Sequence, residues 1–389
     1  MPIYHRLGEV PRKRHIALRE ETGALRYEEL IGNKGFTGPS SLLYHLRLPT
    51  ALKGVRTLRA LEWAPEPERV LRPRHFRTAR LTAGPSPTLD RVPLLFNSEV
   101  ALSMALPEKE DEFLYRNGQG DEIVFVVEGA GILESSFGLI PFWSGDYVVI
   151  PRGILHRWRL KAGPFRFLVI ETAGYVRTPP RYRNEHGQLT EMAPFSERDI
   201  RRPERLETHD EVGDFPVIVK SGHRLVEAVM AHHPFDVVGW DGYYYPWALS
   251  IHDFEPRVGR VHLPPPVHQT FEGDGFVVCS FCPRPYDFEP GAVPAPYSHQ
   301  NAMSDEVLFY AGAEFMSRKG IERGSITLHP DGMPHGPHPG KTEESIGAKA
   351  TRELAVMVDT FRPLLVGQAA LPLEDEDYVL SWLESKETS

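Results

Sequence analysis

The chain has 389 residues, of which 41% are hydrophobic and 25% charged, with a formal net charge of -9; that balance gives no reason to expect nucleic acid or an anionic membrane as a partner. No apolar run approaches the ~18 to 20 residues that span a bilayer, and the N-terminus lacks the apolar stretch of a signal peptide, so the expectation is a soluble cytoplasmic protein. The length allows two domains, and 36 prolines with 33 glycines suggest many short strands joined by turns.

In chain order, PRKRH at 11–15 is the one dense basic run and reads as a solvated arm. Strand-like runs follow at 120–131 (GDEIVFVVEGAG), 147–151 (YVVIP) and 165–172 (FRFLVIET). The segment 176–212, rich in proline and charge, reads as a connector laid over the surface. Beyond it come FPVIV (215–219), GFVVCSF (275–281), DEVLFYAG (305–312) and ELAVMVDTF (353–361). The two cysteines, Cys279 and Cys282, lie three apart on a strand pattern, point to opposite faces and read as inert and partly buried. Convincing helices are few. The clearest is EDEDYVLSWLESK (374–386), with acids in its first turn and an apolar stripe of Val379, Leu380, Trp382 and Leu383. The pattern is all-β, of sandwich or barrel type.

Across the connector the sequence repeats itself. DEIVFVVEG at 121 precedes GDYVVIPRGILH at 145; DEVLFYAG at 305 precedes GSITLHPDGMPH at 324. Both second segments share a glycine, five residues, a proline, any residue, a glycine, two residues and a histidine. A strand carrying polar side chains inward, a glycine turn, and a proline–glycine turn returning a histidine to the same interior would build a ligand cage. These motifs resemble the cupin superfamily, which implies two jelly-roll barrels (a bicupin): an N-terminal domain over 1–175, the connector 176–212, and a C-terminal domain over 213–389 that includes the helix. Cupin barrels hold a metal through histidines and a glutamate.

In the second half the motif positions are His299, Asn301, Glu306 and His335. Two imidazoles and one carboxylate match the facial set of non-haem Fe(II) oxygenases, although zinc or manganese accepts such donors. In the first half Tyr115 and Asn117 stand where His299 and Asn301 do, leaving Glu122 and His156, so that barrel is expected to hold no metal. Asp305 competes with Glu306. Strand alternation allows only one of the two into the barrel, and alignment of Glu306 with Glu122 favours Glu306, with Asp305 meeting loop amides or solvent.

The stretches HPFDVVGWDGYYYP (233–246), VPAPYSHQNAMSDE (293–306) and GSITLHPDGMPHGPHPG (324–340) resemble the homogentisate 1,2-dioxygenase family. That resemblance implies an Fe(II)-dependent, extradiol-type ring cleavage of homogentisate or a related hydroquinone by O2, giving maleylacetoacetate in tyrosine and phenylalanine catabolism. It implies His299, Glu306 and His335 as metal ligands, His262 as general base, and Tyr297 and His329 as substrate contacts. A homo-oligomer, trimer or hexamer, is also implied. Arg318 and Lys319 lie on a loop that does not align with the family's substrate loop; either could neutralise a substrate carboxylate, but a solvated position is the expectation for a lone basic pair on a loop. His232, His233, His252 and His268 read as surface or second-layer groups, and His338 as a rim residue. The alternatives are a gentisate- or salicylate-type bicupin dioxygenase, against which the acidic ligand argues, and a metal-binding bicupin without catalysis.

Overall fold

Every strand run expected from the sequence forms a strand in the computed structural model, which describes residues 3–61, 63–82 and 84–383. The architecture is all-β. Its one α-helix among the described residues is the short Lys341–Ser345, and the other helical pieces are 3-10 turns.

Two sheets carry the repeated motifs. In the first, Asp121–Ser135 lies between Asp146–Ile150 and His156–Thr172. In the second, Asp305–Tyr310 lies between Ser325–His329 and Ala355–Thr360, and Phe276–Phe281 and Gln269–Gly273 continue the sheet. The copied sequence thus gives a copied three-strand arrangement.

Hydrogen bonding departs from the division expected at 175 and 213. Val212–Ser221 runs parallel to Leu114–Asn117, and Trp247–Ser250 pairs with Asp146–Ile150, so both belong to the first sheet. In the other direction, Arg74–Arg77 supplies the edge partner of Ser325–His329. Unpaired strand edges must find donors and acceptors, and here each unit borrows strands from the other half of the chain.

The cores are continuous for the same reason. Phe125 meets Phe309 with ring centroids 6.2 Å apart, and the buried Tyr147 hydroxyl lies 2.8 Å from Ser280 Oγ. Each such buried aromatic contributes about 1.5–3 kcal/mol by removal from water. The connector, expected on the surface, instead drives Tyr182, Leu189, Phe195 and Ile200 into this core. Tyr182 donates to the Gln269 carbonyl at 2.9 Å, tying the connector to the second sheet.

The expected C-terminal helix is a 3-10 turn, Glu376–Trp382; residues 384–386 of its pattern lie outside the described residues. The apolar stripe is not its buried face. Val379, Leu380 and Leu383 are exposed, whereas Tyr378 is buried. The 3-10 backbone has three residues per turn, so a stripe drawn at 3.6 falls out of register.

Candidate metal centre

Alternation along Asp305–Tyr310 sorts the two carboxylates. Val307 and Phe309 join the main core, while Leu308 and Tyr310 join a second cluster with Cys279, Ala355 and Met357. Glu306 shares the face of Leu308 and Tyr310. Asp305 takes the other face and is buried there, accepting from the amides of Asp331 at 2.8 Å and Leu364 at 2.6 Å.

Glu306 meets two histidines. Its Oε2 lies 3.5 Å from His299 Nε2 and 3.6 Å from His335 Nε2, and donor atoms of all three residues lie within 4.8 Å of one another. The histidine loops are held by a two-residue antiparallel bridge between His299 and His335. Gly336 makes that approach possible: a Cβ there would sit 2.4 Å from Ser298 Oγ and 2.7 Å from its Cα.

The donor set fits a divalent transition metal. His299 Nδ1 faces the Tyr297 carbonyl at 3.3 Å and His335 Nδ1 faces the Met333 carbonyl at 3.1 Å. A carbonyl only accepts, so each Nδ1 carries the hydrogen and each Nε2 offers its lone pair. His335 Nε2 is buried and has no hydrogen-bond partner among the described residues. Burial alone would raise the Glu306 carboxyl, but the surrounding imidazoles of His299, His329 and His335 hold it well below the usual carboxylate range. In that tautomer the site presents two nitrogen lone pairs and one charged oxygen.

His329 is not where a substrate contact was expected. It is fully buried behind Glu306, its Nδ1 2.9 Å from Glu306 Oε1 and its Nε2 3.1 Å from the Tyr378 hydroxyl, and it does not line the cavity. Burial pushes its pKa down to about 4, leaving a neutral ring. His329 and Glu306 are directly cross-strand, which places the imidazole against the carboxylate.

A cavity of about 380 Å³ opens onto Glu306 and His299. Its mouth holds the exposed His262 and Tyr297, with ring centroids 5.3 Å apart. Its walls include Phe281, Phe315, Met357, His268, Arg318 and Asp359. Three of these keep a buried polar atom without a partner among the described residues: His268 Nδ1, Arg318 Nε and Asp359 Oδ1. Arg318, expected in solvent, is buried, and its guanidinium reaches the Gly336 carbonyl at 2.7 Å. His268 was expected as a surface or second-layer group; it is buried in the cavity wall, and burial lowers its pKa to about 3. Asp359 is the cross-strand neighbour of Glu306 opposite His329, and burial together with the Glu306 charge pushes it up to about 8. Sequence reasoning missed Asp359, although an acid inside the apolar run ELAVMVDTF carried the same signal as DEVLFY. His338, expected at the rim, is buried, with Nδ1 accepting from the Lys319 amide at 2.7 Å.

The first sheet repeats the histidine geometry but pairs its glutamate with a guanidinium. His156 Nδ1 lies 3.0 Å from the Ile154 carbonyl, and its buried Nε2 has no partner, as in His335. Glu122 is held bidentately by Arg91 at 2.8 and 2.9 Å and by Asn117 Nδ2 at 3.0 Å. The Arg91 guanidinium thus occupies the glutamate of the first sheet, whereas no arginine or lysine bonds Glu306 among the described residues. Among the described residues one further cluster of suitable groups occurs, Glu134, Glu207 and His209, but Arg157 and Arg159 already engage Glu134.

Comparison with known proteins follows the same line. A family model described as the homogentisate 1,2-dioxygenase N-terminal region matches residues 99–251. A "Putative dioxygenase" of Saccharolobus solfataricus is 40% identical over 390 residues, covering 99% of this chain and all of that protein. The homogentisate 1,2-dioxygenase of Nitrobacter hamburgensis is 28% identical over 291 residues, 70% of this chain; the match spans 63% of that enzyme's length. That of Bradyrhizobium diazoefficiens is likewise 28% identical over 289 residues. Among solved structures, a cupin 2 conserved barrel domain protein from Leptotrichia buccalis is 10% identical with a TM-score of 0.33, covering 78% of this chain and all of that one, a score too low to bear on the fold. No helix among the described residues is long and apolar enough to cross a membrane.

Proposed function

The chain belongs to the homogentisate 1,2-dioxygenase family, and from that premise we propose that it is an Fe(II)-dependent dioxygenase cleaving the ring of homogentisate or a closely related hydroquinone. The observation that carries this reading is the convergence of His299, Glu306 and His335, the first two of which line a cavity of about 380 Å³ with aromatic walls. Two imidazoles and one carboxylate leave metal positions open, as non-haem Fe(II) oxygenases require.

When bound, Fe(II) would supply the electron transfer between an electron-rich ring and O2. The protein's own groups do the rest. His262 stands at the mouth beside Tyr297 and is suited to take a proton from a ring hydroxyl onto an imidazole nitrogen. Phe281 and Phe315 offer apolar surface to a ring and keep water from the floor. Among the described residues no carboxylate bonds the buried guanidinium of Arg318, which suits an anionic side chain on the substrate. Both atoms of O2 enter the product, so homogentisate would give maleylacetoacetate with no other reductant.

A trimer or hexamer belongs to the same reading. The edge strand Leu52–Ala60 is exposed along its whole length, which an assembly would cover.

The test is an anaerobic loading with Fe(II) followed by oxygen uptake with homogentisate, gentisate and salicylate in turn. One O2 consumed per homogentisate, with loss of the ring absorbance, supports the proposal. Turnover of gentisate alone favours the gentisate-type alternative, and uptake with none of them leaves a metal-binding protein without this catalysis.

A further inference from the structure

The turn Glu376–Trp382 is 41 or more residues from each proposed ligand in sequence, yet it bonds to the groups that flank two of them. Tyr378 places its hydroxyl 3.1 Å from His329 Nε2, and His329 Nδ1 lies 2.9 Å from Glu306 Oε1. An ionised carboxylate only accepts, so His329 Nδ1 carries the hydrogen. On a neutral imidazole Nε2 then has the lone pair, and the Tyr378 hydroxyl donates to it. The chain of donors runs in one direction, from Tyr378 through His329 to Glu306. Its consequence is a division of labour within the carboxylate: Oε1 is occupied, and Oε2 is the oxygen that faces His299 and His335.

The same turn reaches the other side of the site. Trp382 Nε1 donates to the Gly336 carbonyl at 3.1 Å, directly after His335, and Arg318 donates to that oxygen at 2.7 Å. Ser381 Oγ lies 3.0 Å from His338 Nε2, bracing the loop that follows. One short turn therefore fixes the backbone beyond one histidine and the rotation of the carboxylate.

We infer that Tyr378 is a positioning residue for the metal-facing carboxylate, acting through His329, and that the turn carrying it is required for tight metal binding. This rests on reading His299, Glu306 and His335 as metal ligands. A turn that merely covered apolar surface would use its apolar side chains, but Val379, Leu380 and Leu383 point outward and the inward groups are a hydroxyl and an indole N–H.

The experiment measures Co(II) affinity by competition with a chelating dye, together with the visible spectrum of the bound Co(II), in the full chain. Tyr378→Phe should weaken binding by about 10- to 100-fold, as loss of a group orienting a ligand does, at unchanged stoichiometry and with an altered spectrum. Leu380→Ala, exposed on the same turn, should bind as the wild type does. Equal affinity and spectrum in Tyr378→Phe overturn the inference, whereas a wild type that binds no Co(II) overturns the ligand reading beneath it. Should Tyr378→Phe fail to fold, Trp382→Phe removes the turn's other donor: weaker binding there supports the turn's role and unchanged binding contradicts it.

Discussion

His299 and His335 exchange two backbone hydrogen bonds, His299 N to His335 O at 2.8 Å and His335 N to His299 O at 2.9 Å. Their rings meet with centroids 4.3 Å apart, and both Nε2 atoms face Glu306. The proposed ligands are thus set by main-chain pairing across 36 residues of sequence, which limits how far either histidine can drift from the carboxylate.

The first sheet provides a prediction about stability. Arg91 and Glu122 are both buried and mutually bonded, so Arg91→Ala leaves a carboxylate without its cation. Breaking one partner of such a pair costs on the order of 3–5 kcal/mol. Urea denaturation of Arg91→Ala should show a loss of that size, and the double replacement Arg91→Met with Glu122→Leu should recover much of it; a loss under about 1 kcal/mol for the single variant would mean the pair is not buried as described.

Proton handling gives a second. His262→Gln removes the imidazole at the cavity mouth without touching the three proposed ligands. It should retain metal and lose turnover by roughly 10² to 10⁴, the range for a positioned acid or base. Normal turnover with homogentisate would take His262 out of the mechanism.

A third prediction concerns pH. Burial alone would lower the His45 pKa, but hydrogen bonds with Asp236 and Glu29 push it up to about 9. The folded-state value lies above the ordinary ~6.5, so the contribution is complete below pH ~6.5 and disappears as pH rises through about 9. Its size is on the order of 3 kcal/mol. Unfolding free energy followed from pH 6 to 10 should fall across that window in the wild type and less steeply in His45→Asn; parallel curves would show that His45 does not couple to folding.

Particular residues show where the sequence was legible. Strand alternation was enough to separate Asp305 from Glu306, because a period of two leaves no third arrangement, and the loop amides meeting Asp305 were foreseeable. The repeated glycine–proline–glycine–histidine spacing located His156 and His335 in equivalent turns. Arg91 was not legible, since it enters from 31 residues before Glu122 and belongs to neither motif. His329 was placed by resemblance beside the substrate, but its role depends on Tyr378, 49 residues away, and only the fold brings the two together. Strand exchange between the halves was hidden for a similar reason: local pattern identifies a strand without naming its partner.

The central claim is that one metal is held at the second sheet through Glu306. Anaerobic Fe(II) titration followed by gel filtration and metal analysis tests this in the wild type, Asp305→Asn, Glu306→Gln and His156→Ala. The account predicts one iron per chain in the wild type and in His156→Ala, retention in Asp305→Asn, and near-complete loss in Glu306→Gln. Loss confined to Asp305→Asn, or equal loss in His156→Ala and Glu306→Gln, would contradict it.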